Sequence, residues 1–158
     1  MIDDVQGLII KYKSKGILLD TNLALLYVVG SLDSGRIRSH KRTDGFTVDD
    51  FERLSKFVGL FDNKIVTPNI LTETSNLLGR DKELLKVLSG YIEIANEEFC
   101  SSKEVTDSDG FLHYGLTDAG IVEVAKGKYL VVTDDNRLLP FLYGSNVDFV
   151  SFSRIRMI

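Results

Sequence analysis

The sequence predicts an α/β fold, a three-layer α/β/α sandwich around a central, mostly parallel sheet of about five strands. Three observations lead there. Short apolar runs, as at 17–19, 64–67 and 129–133, alternate with longer segments whose apolar residues recur at helical spacing. Strands that alternate with helices pair in parallel, and such a sheet needs cover on both faces. The length of 158 residues suits one domain, spanning 1–158.

Along 2–14, Ile2, Val5, Leu8, Ile9 and Tyr12 fall on one helical face, so residues 1–15 form an N-terminal helical extension that Gly16 stops. Residues 17–19 make a buried strand ending at Asp20. Residues 22–32 are apolar almost throughout and too long for a second strand, hence helix. The polar, glycine-broken stretch 33–46 is a loop. Thr47, followed by Asp49, Asp50 and Glu52, caps a helix to about Phe61. Residues 64–67 form a strand that Pro68 ends while opening a helix, which Gly79 closes. A helix over roughly 81–98 carries Leu84, Leu85, Leu88, Tyr91, Ile92 and Ala95, a stripe that suits the core or, if exposed, a partner surface. The acidic stretch 99–110 has room for one short strand. Thr117 is placed to cap a helix over 118–126, closed by Gly127. A strand at 129–133, a short helix at 135–143 and a strand at 147–152 complete the chain.

Hydrophobic residues at 44% and charged residues at 27% place the chain among soluble globular domains. The longest apolar run, 23–29, has 7 residues where a membrane span needs ~20. The N-terminus lacks the basic-then-apolar order of a signal peptide, and Cys100 is the only cysteine, which excludes an internal disulfide and a cysteine-rich zinc site. These features predict a cytoplasmic protein with no membrane partner. The net charge of −4 excludes binding to nucleic acid by overall basicity. Any contact with a polyanion needs a local basic patch or bound cations.

In open parallel sheets, functional groups gather beyond the carboxyl ends of the strands. Asp20 directly follows the first strand, and Asp134 and Asp135 follow the strand ending at Thr133. Glu73 lies in the first turns after the strand at 64–67, and Asp118 opens the helix after Thr117. Each has an ordinary structural role open to it: Asp20 and Asp135 as helix caps, Asp118 as a first-turn acid, Glu73 as a solvated helix residue. Capping does not require acids, however, and Glu73 is not placed to cap. Two like charges 4 Å apart cost ~4 kcal/mol at an effective dielectric of 20, so clustered carboxylates call for protons or cations. An all-carboxylate site without His or Cys suits Mg²⁺ or Mn²⁺ and the chemistry of phosphoryl transfer.

Leu18-Leu19-Asp20-Thr21-Asn22, Thr67-Pro68 followed by Glu73, Gly115-Leu116-Thr117-Asp118-Ala119 and Val131-Val132-Thr133-Asp134-Asp135 together resemble the PIN-domain nucleases. The four signals stand in the family's order and cover about residues 16–152. The resemblance implies a metal-dependent endoribonuclease whose catalytic and metal-holding quartet is Asp20, Glu73, Asp118 and Asp135. Asp135 is preferred to Asp134 because the family pattern is Thr-x-Asp. Asn22, Thr133 and Asp134 would orient the carboxylates by hydrogen bonding. An RNA substrate, a homodimer and, from size and resemblance, the role of a toxin paired with a protein antitoxin are further implications. The 15-residue extension and the long stretch between Asp20 and Glu73 depart from the compact toxin members.

Arg36, Arg38, His40, Lys41 and Arg42 fall within seven positions of the loop and could grip RNA phosphates over an acidic site. Phe46 could stack on a base or anchor the loop in the core. His113 has no partner at ligand spacing, and Cys100 has no neighbouring base to make it a nucleophile. Two other functions remain open. One is a binding module without chemistry, whether for RNA or protein. The other is a Mg²⁺-dependent phosphatase or phospho-acceptor, although phosphatases of the haloacid-dehalogenase type need Asp-x-Asp where this chain has Asp20-Thr21-Asn22.

Overall fold

Successive strand residues face opposite sides of a sheet, and in this chain that alternation divides the core in two. The computed structural model describes residues 2–158 apart from the side chains of Ile2 and Asp3. Met1, at the head of the expected extension, and the side chain of Ile2 in its apolar stripe lie outside the described residues. In chain order the elements are α1 (Ile2–Tyr12), β1 (Ile17–Leu19), α2 (Thr21–Leu32), a 3₁₀ turn (Ser34–Arg36), α3 (Val48–Val58), β2 (Lys64–Val66), α4 (Pro68–Leu78) and α5 (Lys82–Ile94). Then come β3 (Asn96–Glu97), α6 (Ser102–Thr106), α7 (Phe111–Ala125), β4 (Leu130–Thr133), α8 (Leu139–Gly144), β5 (Phe149–Ser151) and α9 (Phe152–Ile155).

All five strands are parallel, in the order β3-β2-β1-β4-β5. Ile17, Leu19, Leu130, Val132 and Val150 enter one core with residues of α1, α2, α3 and α5. Leu18, Ile65 and Val131 enter the other, with α7 and α8. The architecture is thus the expected sandwich, with the sheet as its middle layer. The chain starts in the centre at β1, winds outward through β2 to β3, then returns to β4 and winds the other way. Ligand crevices of open α/β sheets form where the winding reverses, here beyond the ends of β1 and β4. The register pairs Leu19 with Val132, and the Asp20 N–H donates to the Val132 carbonyl at 3.0 Å, so both strands end level at that point.

The N-terminal helix belongs to the domain. Val5 and Tyr12 are buried in the core, Lys11 Nζ and Tyr12 Oη both donate to Asp148 at 2.7 Å, and Arg154 pairs with Asp4. At the other terminus, Arg156 lies over the rings of Phe46 and Phe152 and pairs with Asp50 at 2.8 Å. Phe46 is 7% exposed and packs edge-on against Phe152, which fixes it as a core anchor rather than a base-stacking group. No helix among the described residues is long and apolar enough to cross a membrane.

Several boundaries differ from expectation. The helix expected over 81–98 ends at Ile94 because Ala95 turns extended (φ −86°, ψ 157°), which frees Asn96 and Glu97 to pair with β2 as an edge strand. The stretch 99–110, which had room for a short strand, holds a five-residue helix. The helix assigned to 118–126 is the second half of α7, whose path breaks at Gly115 (φ 82°), so that half begins just after the break and a little upstream of Thr117. Thr117 makes no capping bond; its hydroxyl is used elsewhere. The stripe over 84–95 mostly faces inward: Leu84, Leu88 and Tyr91 are buried, while Ile92 and Ile94 are exposed.

Gly16 joins α1 to β1 at φ 139°, and a Cβ there would lie 2.8 Å from Ile65 Cγ1. Gly16→Ala meets both backbone strain and a buried side chain. It is expected to lower unfolding stability by about 2–3 kcal/mol in urea denaturation.

Candidate functional site

Asp20, Glu73, Asp118 and Asp135 line one cleft of about 180 Å³, together with Thr21, Asn22 and Leu77. The fold brings them there from four elements. Asp20 leaves β1 and caps α2, its Oδ1 accepting from the Leu23 N–H at 2.9 Å. Asp135 follows β4, Glu73 stands on α4, and Asp118 stands on α7 beyond the break at Gly115. Larger cavities lie elsewhere. One of about 320 Å³ beside Phe99 and Cys100 is lined by no charged residue, and one of about 400 Å³ beside α3 is lined by charges of both signs.

Three of the four carboxylates are held on both oxygens. Asp20 Oδ2 accepts from Thr133 Oγ1 at 2.5 Å and from the Asp134 N–H at 2.9 Å. Glu73 accepts from Thr21 Oγ1 at 3.0 Å and Thr117 Oγ1 at 2.8 Å, one hydroxyl on each oxygen. Arg137 grips both oxygens of Asp135, with Nη2 on Oδ2 at 2.8 Å and Nε on Oδ1 at 3.1 Å. The Arg137 side chain is 85% exposed, so solvent screens this ion pair. Asp118 has no hydrogen-bond partner among the described residues.

The electrostatics follow from this sorting. Burial, then the charges of Asp135, Asp20 and Glu73, push the Asp118 carboxyl up to about 6. Burial likewise raises Asp20, against the hydrogen bonds from Thr133, Leu23 and Asp134. The Arg137 guanidinium holds Asp135 below the ordinary carboxylate value. Asp134 is set apart. Its N–H orients Asp20, but its side chain faces Arg156, 3.9 Å away, and not the cleft.

All four carboxylates of the expected quartet thus line one cleft, and Thr133 donates to one of them, Asp20. Asn22 lines the cleft but bonds to none of the carboxylates; its place one residue into α2 leaves it exposed. None of Arg36, Arg38, His40, Lys41 and Arg42 lines the cleft. Arg36 follows the far end of α2, a 12-residue helix about 18 Å long, and is paired there with Asp81 at 2.5 Å and Glu83 at 3.5 Å. Arg38, Lys41 and Arg42 are exposed, and His40 Nδ1 accepts from the Arg42 N–H. The loop is itself anchored by buried Ile37, Thr43 and Phe46. Cys100 donates to Glu104 at 2.9 Å and its thiol is pushed up to about 11, while His113 is exposed.

Thr21, Thr117 and Arg137 were missed as site residues. Thr21 and Arg137 had a signal in standing one and two positions beyond predicted site aspartates. Thr117 was noticed for the wrong role. The all-oxygen donor set and the partnerless Asp118 suit a hard divalent cation. No three His, Cys, Asp or Glu among the described residues are close enough to hold one ion together. One or two carboxylates completed by water, the usual manner of Mg²⁺, is the arrangement these residues can offer. No family model, curated protein or solved structure matches the chain.

Because folded Asp118 keeps its proton to about pH 6 while an ordinary carboxyl loses it near 3.8, the folded state binds more protons between those values. Stability contributed by this group is therefore present at low pH and lost as pH rises through about 6. Asp118→Asn is expected to gain on the order of 1 kcal/mol at pH 7.5, allowing for solvent screening of a half-buried group. The gain disappears near pH 4, as urea denaturation at the two pH values would show.

Proposed function

We propose that the chain is a divalent-metal-dependent endoribonuclease of the PIN-domain kind, hydrolysing RNA phosphodiesters at the cleft between β1 and β4. The observation that supports it is the convergence of four carboxylates from separate elements on one cleft, with Asp118 pushed up to about 6 by burial and the other three. Mg²⁺ or Mn²⁺, when bound, supplies the Lewis acidity and positive charge that phosphodiester hydrolysis draws on.

Each side chain has a role that follows from its partners. Asp118 offers oxygens that no protein donor occupies, and Asp20 presents a carboxylate whose orientation Thr133 and two backbone N–H groups fix. Asp135 faces the same cleft from the β4 side. Glu73, steadied by Thr21 and Thr117, holds or positions water at the cleft wall. The exposed cations Arg38, Lys41 and Arg42 steer the RNA backbone toward the protein from outside the cleft. A cytoplasmic setting, a homodimer and a toxin role with a protein antitoxin belong to the same proposal and rest on the sequence resemblance alone.

Asp20→Asn tests the proposal without removing the cap of α2, since Asn caps as well as Asp. RNA cleavage in Mn²⁺ is expected to fall on the order of 100-fold or more, measured on protein whose circular dichroism shows the parent's fold at the assay temperature. Cleavage equal to the parent's would remove Asp20, and the cleft, from the chemistry.

A further inference from the structure

Among the described residues, Arg137 is the one cation bonded to the quartet. It takes both Asp135 oxygens through Nε and Nη2, and its own N–H also donates to Oδ1 at 2.9 Å. Its charge is also felt by Asp118, so it acts on the cleft beyond its direct partner. The guanidinium therefore stands where a cation would be needed to offset repulsion, and it keeps Asp135 occupied. Glu73 and Asp20 are occupied too, but by neutral hydroxyl and N–H donors, which add no charge. Arg137 is also the partner most easily displaced, because its side chain is 85% exposed while that of Asp135 is only 24% exposed.

We infer that Arg137 is a charge-exchange latch: it neutralises Asp135 in the metal-free protein, releases that carboxylate to a divalent cation, and then takes a phosphate oxygen of the RNA. The inference rests on the function proposed above and adds a residue to it. A planar guanidinium that can pair with a carboxylate in two-point fashion can pair with a phosphate in the same way. Once released, Arg137 remains two residues from Asp135, which lines the cleft that the substrate's phosphate would enter. Arg137 is thus a positioning residue for the cation and a contact for the substrate.

The two halves of the exchange move in opposite directions when Arg137 is removed. In Arg137→Ala, titration of Mn²⁺ followed by electron paramagnetic resonance is expected to show about threefold to fivefold tighter binding, because the competitor is gone. With Mn²⁺ saturating, the KM for RNA is expected to rise at least about fivefold, with Arg137→Lys between the two proteins. Lys128→Ala removes one exposed positive charge just before β4, at the end of the strands opposite the cleft, and controls for net charge; it is expected to change neither value. Mn²⁺ binding to Arg137→Ala that is no tighter than to the parent, or a KM that does not rise, overturns the latch. A parent protein that binds no Mn²⁺ overturns the proposed nuclease function instead, and the latch falls with it.

Discussion

Mutual repulsion among Asp20, Glu73, Asp118 and Asp135 is the constraint on which the local structure depends. A folded chain gains nothing from bringing four acids together, and most of their oxygens are therefore given donors. Asp20 sits at the positive end of α2 and accepts from two N–H groups and a hydroxyl. Glu73 is held between two threonines, and Asp135 is paired with an arginine. Asp118 alone is left without a donor, and the cost of the cluster shows there, as a carboxyl raised to about 6. Electrostatic cost collected on one group in a cleft recurs at functional sites, and also in structural ion-pair networks.

The rest of the fold makes that arrangement possible. Winding outward from β1 in both directions opens a crevice between β1 and β4, and the level ends of these strands place Asp20 beside the residues that follow Thr133. Adjacent aspartates are then separated by their surroundings. Asp134 turns to Arg156, which is itself fixed by Asp50 and by the rings of Phe46 and Phe152. Asp135 turns to the cleft. The C-terminal segment thus keeps a fifth carboxylate side chain out of the cluster, which its acid-to-base ratio would not tolerate easily.

The parallel sheet and its cleft were legible because both leave short-range marks. The three-residue strand Ile17–Leu19 is fully apolar, and an acid immediately after it is hard to miss. The edge strand Asn96–Glu97 was illegible for the opposite reason: two polar residues become a strand only by pairing with the backbone of β2. Thr117 read as a cap because a threonine before an aspartate commonly is one, yet the break at Gly115 sets the helix start upstream and sends the hydroxyl to Glu73. The positive charge of Arg36 was plain, but its partner Asp81 is 45 residues away and no local pattern announces it. Side-chain partners, more than elements, are what a single sequence withholds.

Anomalous diffraction at the manganese edge, from crystals equilibrated with Mn²⁺, tests the account's central claim most directly. The account predicts a manganese peak in the cleft, within coordinating distance of Asp118 and of at least one of Asp20 and Asp135. A well-ordered lattice with that cleft open to solvent and no peak in it, or with manganese bound only elsewhere, would contradict it.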